Sequence, residues 1–313
     1  MKTKSDMIPK LDWRRYSDGA DREGFVRDLA AALRGPGLLR LSRHGISPAL
    51  IAAAFDASRA VFNLTEAEKR TLLMPPGPAN RGWTPLGAER LADATGQMER
   101  REAFNIGLDL PLADPRVVQH KPFRSVNRWP DIPGFRQTIL EYYDATLALG
   151  LRLHECIARD LGLPEDHFKP VFEDPLATLR LVTYPPGTGR EGEIGAGAHT
   201  DYGSISLLLT DEEPGLQVRL RSGEWVDIAP DGDSFVLLVG DTLQGWSNGT
   251  YAATPHRVLP PRRRRHALVF YVDPAPQVPV APLPELGGAE ARTMSYEQYL
   301  AERLAATQGM MRG

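Results

Sequence analysis

The stretch Ala198-His199-Thr200-Asp201 holds the first residues whose types and spacing could do chemistry. An imidazole and a carboxylate two positions apart, at the start of a strand-like run, project from one face of an extended chain and can reach one metal ion. Gly192, Gly195 and Gly197, just before them, allow close backbone approach. The pair alone is a weak signal, because His-x-Asp arises by chance in many chains. A third ligand is available in Thr254-Pro255-His256-Arg257-Val258, where His256 opens another β-type segment. Two histidines and one carboxylate on one face of an octahedron leave the opposite face open, which suits non-haem Fe(II) oxygenases. Zinc accepts the same donors, so the ligand set by itself leaves the metal undecided.

A nearby cation favours iron. In Arg265-His266-Ala267-Leu268-Val269-Phe270-Tyr271, alternation sets Arg265, Ala267, Val269 and Tyr271 on one face and His266, Leu268 and Phe270 on the other. A guanidinium pointing into a barrel must meet an anion, because an unpaired buried charge is very costly. A dicarboxylate cosubstrate would satisfy it through a bidentate salt bridge. The run 178–184 likewise places Arg180, Val182 and Tyr184 on a common face, with the Tyr184 hydroxyl in reach of the same carboxylate.

These residues need a scaffold, and the pattern supplies one. Helical periodicity covers 21–33, 48–64 and 134–161, with Ser47 and Pro48 at a helix start and Thr65-Glu66-Ala67-Glu68 as a further cap and first turn. Gly37 to Leu41 reads as a strand, 75–87 as a turn-rich loop, and 295–306 as a terminal helix. From about residue 170 the texture changes to short apolar or alternating runs at 178–184, 204–210, 215–220, 224–228, 234–239 and 265–272, separated by turn residues. That pattern predicts an α+β fold in which helices buttress a sandwich or jelly roll. No flexible linker divides the chain, so a single unit over 1–313 is expected: 1–170 mainly helical, 171–280 carrying the β-core and metal site, and 281–313 a terminal loop and helix.

Composition narrows the function classes. Hydrophobic residues at 42% and charged residues at 25% describe a globular protein, not a disordered one. A net charge of −3 gives no electrostatic reason to expect nucleic acid. The lone Cys156 excludes an internal disulfide and any cysteine-rich cluster. No apolar run has the length of a membrane span, and the N-terminus is charged, so a cytoplasmic protein with no membrane partner is the expectation. The arginine run 262–265 follows Pro260-Pro261 and reads as a turn leading into Arg265, not as a nucleic-acid patch. His44 reads as a turn residue and Cys156 as helical core.

Taken in order, these stations resemble the isopenicillin N synthase-like family of Fe(II)/2-oxoglutarate dioxygenases over roughly residues 8 to 307. The residues carrying the resemblance are Ile8-Pro9-Lys10-Leu11-Asp12, the segment from Gly37 to Ile46, Glu66 to Arg70, Arg81 to Gly87 and Glu102 to Gly107. They continue with Gly197 to Gly203, Gly215-Leu216-Gln217-Val218, Gly240-Asp241, Asn248-Gly249 and Thr254 to Val258. The resemblance implies a double-stranded β-helix (jelly roll) core. It also implies a catalytic Fe(II) bound by His199, Asp201 and His256, with 2-oxoglutarate and O2 as cosubstrates. Arg265 would bind the distal carboxylate of 2-oxoglutarate, assisted by Tyr184. The family's Arg-x-Ser motif reads Arg265-His266-Ala267 here, so a serine hydroxyl is missing. The substrate is expected to be a small molecule oxidised at a C–H bond by hydroxylation, desaturation or cyclisation. Arg180 and Tyr271 should line its cavity, with Phe104 and Trp83 approaching from the N-terminal region. Arg180 either pairs with an acidic group of the substrate or forms a structural ion pair with a nearby Asp or Glu. The alternatives are an Fe(II) oxidase of the same fold that needs no 2-oxoglutarate, and a non-catalytic or zinc-bound jelly roll.

Overall fold

The computed structural model describes residues 8–89, 99–288 and 294–308. Among them run twelve strands: β1 (Lys10–Asp12), β2 (Leu38–Ser42), β3 (Gly82–Thr84), β4 (Glu102–Gly107), β5 (Thr178–Tyr184), β6 (Ala196–His199), β7 (Ile205–Thr210), β8 (Leu216–Arg219), β9 (Trp225–Asp227), β10 (Ser234–Val239), β11 (His256–Val258) and β12 (Arg265–Val272). The helices are α1 (Arg14–Ser17), α2 (Arg22–Arg34), α3 (Pro48–Phe62), α4 (Glu66–Thr71), α5 (Pro115–Val118), α6 (Phe135–Asp160), α7 (Asp241–Trp246) and α8 (Tyr296–Gln308). No helix is long and apolar enough to cross a membrane among the described residues.

The strands form a major sheet in the order β1-β2-β10-β7-β12-β5-β4-β3 and a minor sheet in the order β6-β11-β8-β9. Side-chain alternation divides the core in two. Leu179, Leu181, Leu207, Phe235, Leu268 and Phe270 leave the major sheet on one side and pack with α2, α3 and α6. Val182, Tyr184, Leu208, Val236, Ala267 and Val269 leave it on the other and share a second core with Ala196, Leu216, Val218 and Val258 of the minor sheet. The result is three layers, with helices on the outside of a double-stranded β-helix. The α+β jelly roll expected from the strand spacing is the observed architecture.

The long helix α6 owes its place to a stripe of Ile139, Tyr142, Tyr143, Leu149, Leu153 and Ile157, spaced to line one face and all buried. Its Tyr143 donates to the Ala177 carbonyl at 2.9 Å and meets Phe270 edge-on at 5.0 Å, which ties the helix to β5 and β12. Cys156 is buried in the same helix, as expected. His154 is buried there too. Its Nδ1 donates to the Gly150 carbonyl at 2.8 Å, which leaves Nε2 to accept from the Ser204 hydroxyl at 2.6 Å.

Local signals hold with two exceptions. Thr65 and Glu68 form a full capping box at α4. Ser47 stands at the N-cap of α3 but makes no capping hydrogen bond, and Pro48 at the first position is what starts that helix. The expected loop over 75–87 contains β3, because pairing with β4 supplies ladder partners that a local reading cannot see. The helices expected in the first 170 residues are present, and these residues form strands as well. They supply β1 and β2 at one edge of the major sheet and β3 and β4 at the other.

Two outcomes follow from this layout. Because N-terminal strands complete both edges of the site-bearing sheet, circular dichroism and tryptophan fluorescence should report one coincident unfolding transition. Separate transitions would divide the chain into two units. Burial holds the His154 imidazole down at about 4, against an ordinary value of 6.5. The unfolded chain therefore binds the extra proton between these values, and stability should fall as pH drops from 6.5 toward 4, by roughly 3 kcal/mol from this residue. Denaturant titrations of the wild type and His154→Gln across that window check it, the variant being expected to show the shallower pH dependence.

Candidate metal centre and adjoining cavity

The minor sheet sets the first two candidate ligands opposite each other. β11 runs antiparallel to β6 with His256 directly across from His199, and the rings lie 4.2 Å apart between centroids. Asp201 is not in the strand. It sits on the loop just after β6, and the start of α7 holds that loop in place. The Asp241 N–H donates to the Asp201 carbonyl at 2.8 Å, the Thr242 hydroxyl to the Tyr202 carbonyl at 2.7 Å, and the Thr242 N–H to the Gly203 carbonyl at 3.1 Å. The two N–H groups are donors that a helix start leaves without intrahelical partners. The N-cap of α7 must be glycine, since a Cβ on Gly240 would collide with the Gly203 carbonyl.

Three donor atoms converge as a consequence. One atom each from His199, Asp201 and His256 lies within 4.8 Å of the others. Asp201 Oδ1 stands 3.8 Å from His199 Nε2 and 3.7 Å from His256 Nε2. The imidazoles are oriented from behind: His199 Nδ1 is 2.8 Å from the Gly197 carbonyl and His256 Nδ1 is 3.1 Å from the Thr254 carbonyl. A carbonyl only accepts, so each Nδ1 carries the proton and each Nε2 presents a lone pair to the shared space. Burial, with His256 and Arg101 close by, pushes the His199 imidazole well below its ordinary range and keeps it neutral. Asp201 Oδ2 is buried with no hydrogen-bond partner among the described residues. Two imidazoles with Nε2 turned to a buried carboxylate fit a divalent iron ion in chemistry as well as position.

Arg265 lies on the inward face of β12, paired in register with Tyr184 of β5. Its side chain is 1% exposed, its Nε donates to the Glu213 carbonyl at 3.2 Å, and its Nη1 has no partner among the described residues. The guanidinium lies 5.0 Å from the Tyr184 ring centroid, a cation–π contact that fixes its plane. A buried guanidinium with an unused N–H is a place for an anion. Ala267, where the family motif has serine, sits two residues on with the same inward orientation.

A cavity opens beside His199 and Asp201. Arg180 and Tyr271 line it as expected. Arg180 is already paired, however: it donates to Asn105 Oδ1 at 3.1 Å and to Glu89. Of the two roles considered for Arg180, the structural ion pair is the one formed here. Phe104 and Trp83, expected at the cavity, lie instead in the helix-side core. Phe104 meets Phe135 edge-on at 6.0 Å on the helix side, and the Trp83 indole donates to Glu102 at 2.9 Å beneath Lys69. Strand parity explains the error: in β4 it is the next residue, Asn105, that lines the cavity.

Several lining residues lie outside what the sequence reading named. Asp273 was within reach, since it continues the inward series of Arg265 and Tyr271. Arg101 carried no signal, because its place depends on partners distant in sequence. It pairs with Glu99 at 2.8 Å and Glu89 at 3.3 Å. Glu99 in turn accepts from the Gly197 N–H at 2.7 Å. Glu99 therefore holds the peptide whose neighbouring carbonyl orients His199.

Comparison with known proteins agrees with this geometry. Residues 8–132 match the family described as non-haem dioxygenase in morphine synthesis N-terminal, and residues 175–274 match the 2OG-Fe(II) oxygenase superfamily. The chain is 32% identical to the 2-oxoglutarate-dependent dioxygenase citB of Monascus ruber, over 97% of each protein. A full-length Neurospora crassa protein, solved in complex with alpha-KG and thymine, superposes with a TM-score of 0.84 at 26% identity, covering 96% of each chain. JOX2, solved with 2OG, Fe and JA, superposes with a TM-score of 0.79 at 28% identity, covering 96% of this chain and 86% of that one.

The Glu99 contact yields a test independent of turnover. Glu99→Ala should weaken Co(II) binding to the metal-free protein by roughly 10-fold, and Glu99→Gln, which keeps an acceptor for the Gly197 N–H, by less. Calorimetric titration of both variants reads the difference; equal affinities across all three proteins would remove Glu99 from the support of His199.

Proposed function

The chain belongs to the 2OG-Fe(II) oxygenase superfamily, and from that premise we propose that His199, Asp201 and His256 hold its iron while Arg265 and Tyr184 hold its cosubstrate. Its activity is that of a 2-oxoglutarate-dependent dioxygenase acting on a small molecule. The observation that carries the residue assignment is the convergence of two proton-fixed imidazoles on a buried, unpartnered carboxylate. A ferrous ion held there supplies the redox chemistry by which O2 and 2-oxoglutarate oxidise a C–H bond, with succinate and CO2 released.

The chain's own residues supply binding, orientation and exclusion of water. His199 and His256 offer Nε2 lone pairs held in one orientation by backbone carbonyls, so the ligand geometry exists before anything binds. Asp201 contributes the one negative charge of the set and is kept dry, at 4% exposure, by the loop that α7 clasps. Arg265 receives the far carboxylate of 2-oxoglutarate in a pocket where its charge is not screened by water, and the Tyr184 ring keeps the guanidinium flat against one wall. Val182, Val218, Val258 and Val269 surround this space with apolar side chains that give an oxidant nothing polar to divert it. Tyr271 borders the cavity where the substrate would sit, and the placement of the reacting carbon there decides between hydroxylation, desaturation and ring formation.

Reconstitution with Fe(II), 2-oxoglutarate and O2, with succinate quantified, tests the reading. Arg265→Met should raise the KM for 2-oxoglutarate by at least about 30-fold, since it removes the buried charge partner of a carboxylate. Ala267→Ser restores a hydroxyl two residues from Arg265 and should lower that KM by about 10-fold or more, the value of one hydrogen bond to a charged group. O2 uptake with no succinate would favour the oxidase that needs no 2-oxoglutarate.

A further inference from the structure

The charges around the cavity bear on what kind of substrate it accepts. Among the described residues Arg101 and Arg180 are the guanidinium groups that border it, and both are neutralised internally, Arg180 by Glu89 and Arg101 by Glu89 and Glu99. Two cations face two carboxylates, so these walls offer no net positive charge. A carboxylate substrate would have to strip Glu89 from its partners or remain an unpaired buried anion, and both are unfavourable.

The opposite wall is different. Asp273 and Tyr296 line the cavity side by side at 5% and 0% exposure; the Tyr296 hydroxyl faces the Asp273 carboxyl, whose Oδ1 has no hydrogen-bond partner among the described residues. Asp273 extends the inward series of β12, and Gly203 makes room for it, since a Cβ there would collide with Asp273 Oδ1. The buried Arg81 does not quench it: its Nη1 and Nη2 donate to the carbonyls of Asn80 and Phe123. Tyr296 opens α8, which is anchored by the Tyr299 hydroxyl on Asp241 at 2.7 Å and by Arg303 stacked 4.7 Å over the Tyr202 ring. Tyr202, Tyr271, Leu300 and Leu304 give the rest of this side an apolar and aromatic lining. Buried polar groups whose side-chain partner is only each other are uncommon, and here such a pair shares a cavity with a candidate metal ligand.

We propose that Asp273 and Tyr296 form the polar subsite for an uncharged substrate, a ring-sized apolar body bearing an N–H or O–H donor beside an acceptor, as in a lactam, a cyclic imide or a hydroxylated ring. Asp273 takes the donor in exchange for the Tyr296 hydroxyl, that hydroxyl turns to donate to the acceptor, and the body packs on Tyr202, Tyr271 and Leu300. The proposal rests on the dioxygenase reading and adds the substrate class for its cavity. It also removes Arg180 from direct recognition of an acid.

The test is succinate release by the iron-loaded enzyme with 2-oxoglutarate and matched probes: six-membered lactams, cyclic imides and cyclic alcohols against the carboxylic acids of the same rings. Neutral probes should raise succinate release above the rate without added substrate, and the acids should not. With the best neutral probe, Asp273→Asn and Tyr296→Phe should each raise its KM by about 10-fold, the effect of losing one buried hydrogen bond, with a smaller change in kcat. Tyr296→Phe removes a single oxygen, so it reports on the subsite even if Asp273→Asn folds poorly. Stimulation by acids alone, no stimulation by any neutral probe, or an unchanged KM in Tyr296→Phe would overturn the proposal. Succinate release by the wild type without added substrate tests the dioxygenase reading separately; where it is present, acid-only stimulation counts against the subsite alone.

Discussion

The register between β6 and β11 is the constraint on which the rest of the site depends, because it sets His256 across from His199. Side chains on a strand alternate, so a slip of one residue would turn His256 to the outer face and bring Pro255 or Arg257 inward. The outer face of the minor sheet guards against that slip. Arg257 lies 4.2 Å over the Trp225 ring and donates to Gln217 at 2.8 Å, and Gln217 donates to Asp227 at 2.8 Å. These groups form a ladder of neighbours across β11, β8 and β9, and it is satisfied only in the observed pairing. His256 is thus held inward by contacts on the opposite face of the sheet.

Charge is the second constraint. The inner space takes in Arg265, Arg101, Arg180, Glu89, Glu99, Asp201 and Asp273, all removed from bulk water to a large degree. Most are compensated within the chain: Glu99 joins Arg101 to the Gly197 peptide, and Glu89 joins Arg101 to Arg180. The groups left with buried unsatisfied atoms include Arg265, Asp201, Asp273 and Tyr296. In the proposed reading the first would meet an anion, the second a cation, and the last two a neutral polar ligand. A preorganised site of this kind holds its dipoles and charges before ligands arrive, which lowers the reorganisation that binding must drive.

The parts of this arrangement written in local pattern were legible in the sequence. Alternation along 265–271 places Arg265 and Tyr271 inward, and the spacing of His199, Asp201 and His256 marks them as candidate ligands. The strand count and turn residues after residue 170 point to a jelly roll. What was not legible depended on pairing between distant segments. β3 exists because β4 accepts it, and Phe104 turns outward because β4 pairs with β5 in a register that no neighbouring residue announces. Arg101 and Glu99 become part of the site only when Glu99 meets the Gly197 peptide across the fold. The helix α7 is short enough to escape periodicity, and its role is to supply N–H donors to the Asp201 loop.

The most direct measurement is anomalous diffraction at the iron edge from crystals grown anaerobically with Fe(II) and 2-oxoglutarate. A single strong peak bonded to His199 Nε2, His256 Nε2 and one Asp201 oxygen, with the cosubstrate's far carboxylate on Arg265, is the expected result. Iron elsewhere, an imidazole of the pair rotated out of bonding range, or a cosubstrate that leaves Arg265 untouched would contradict the account.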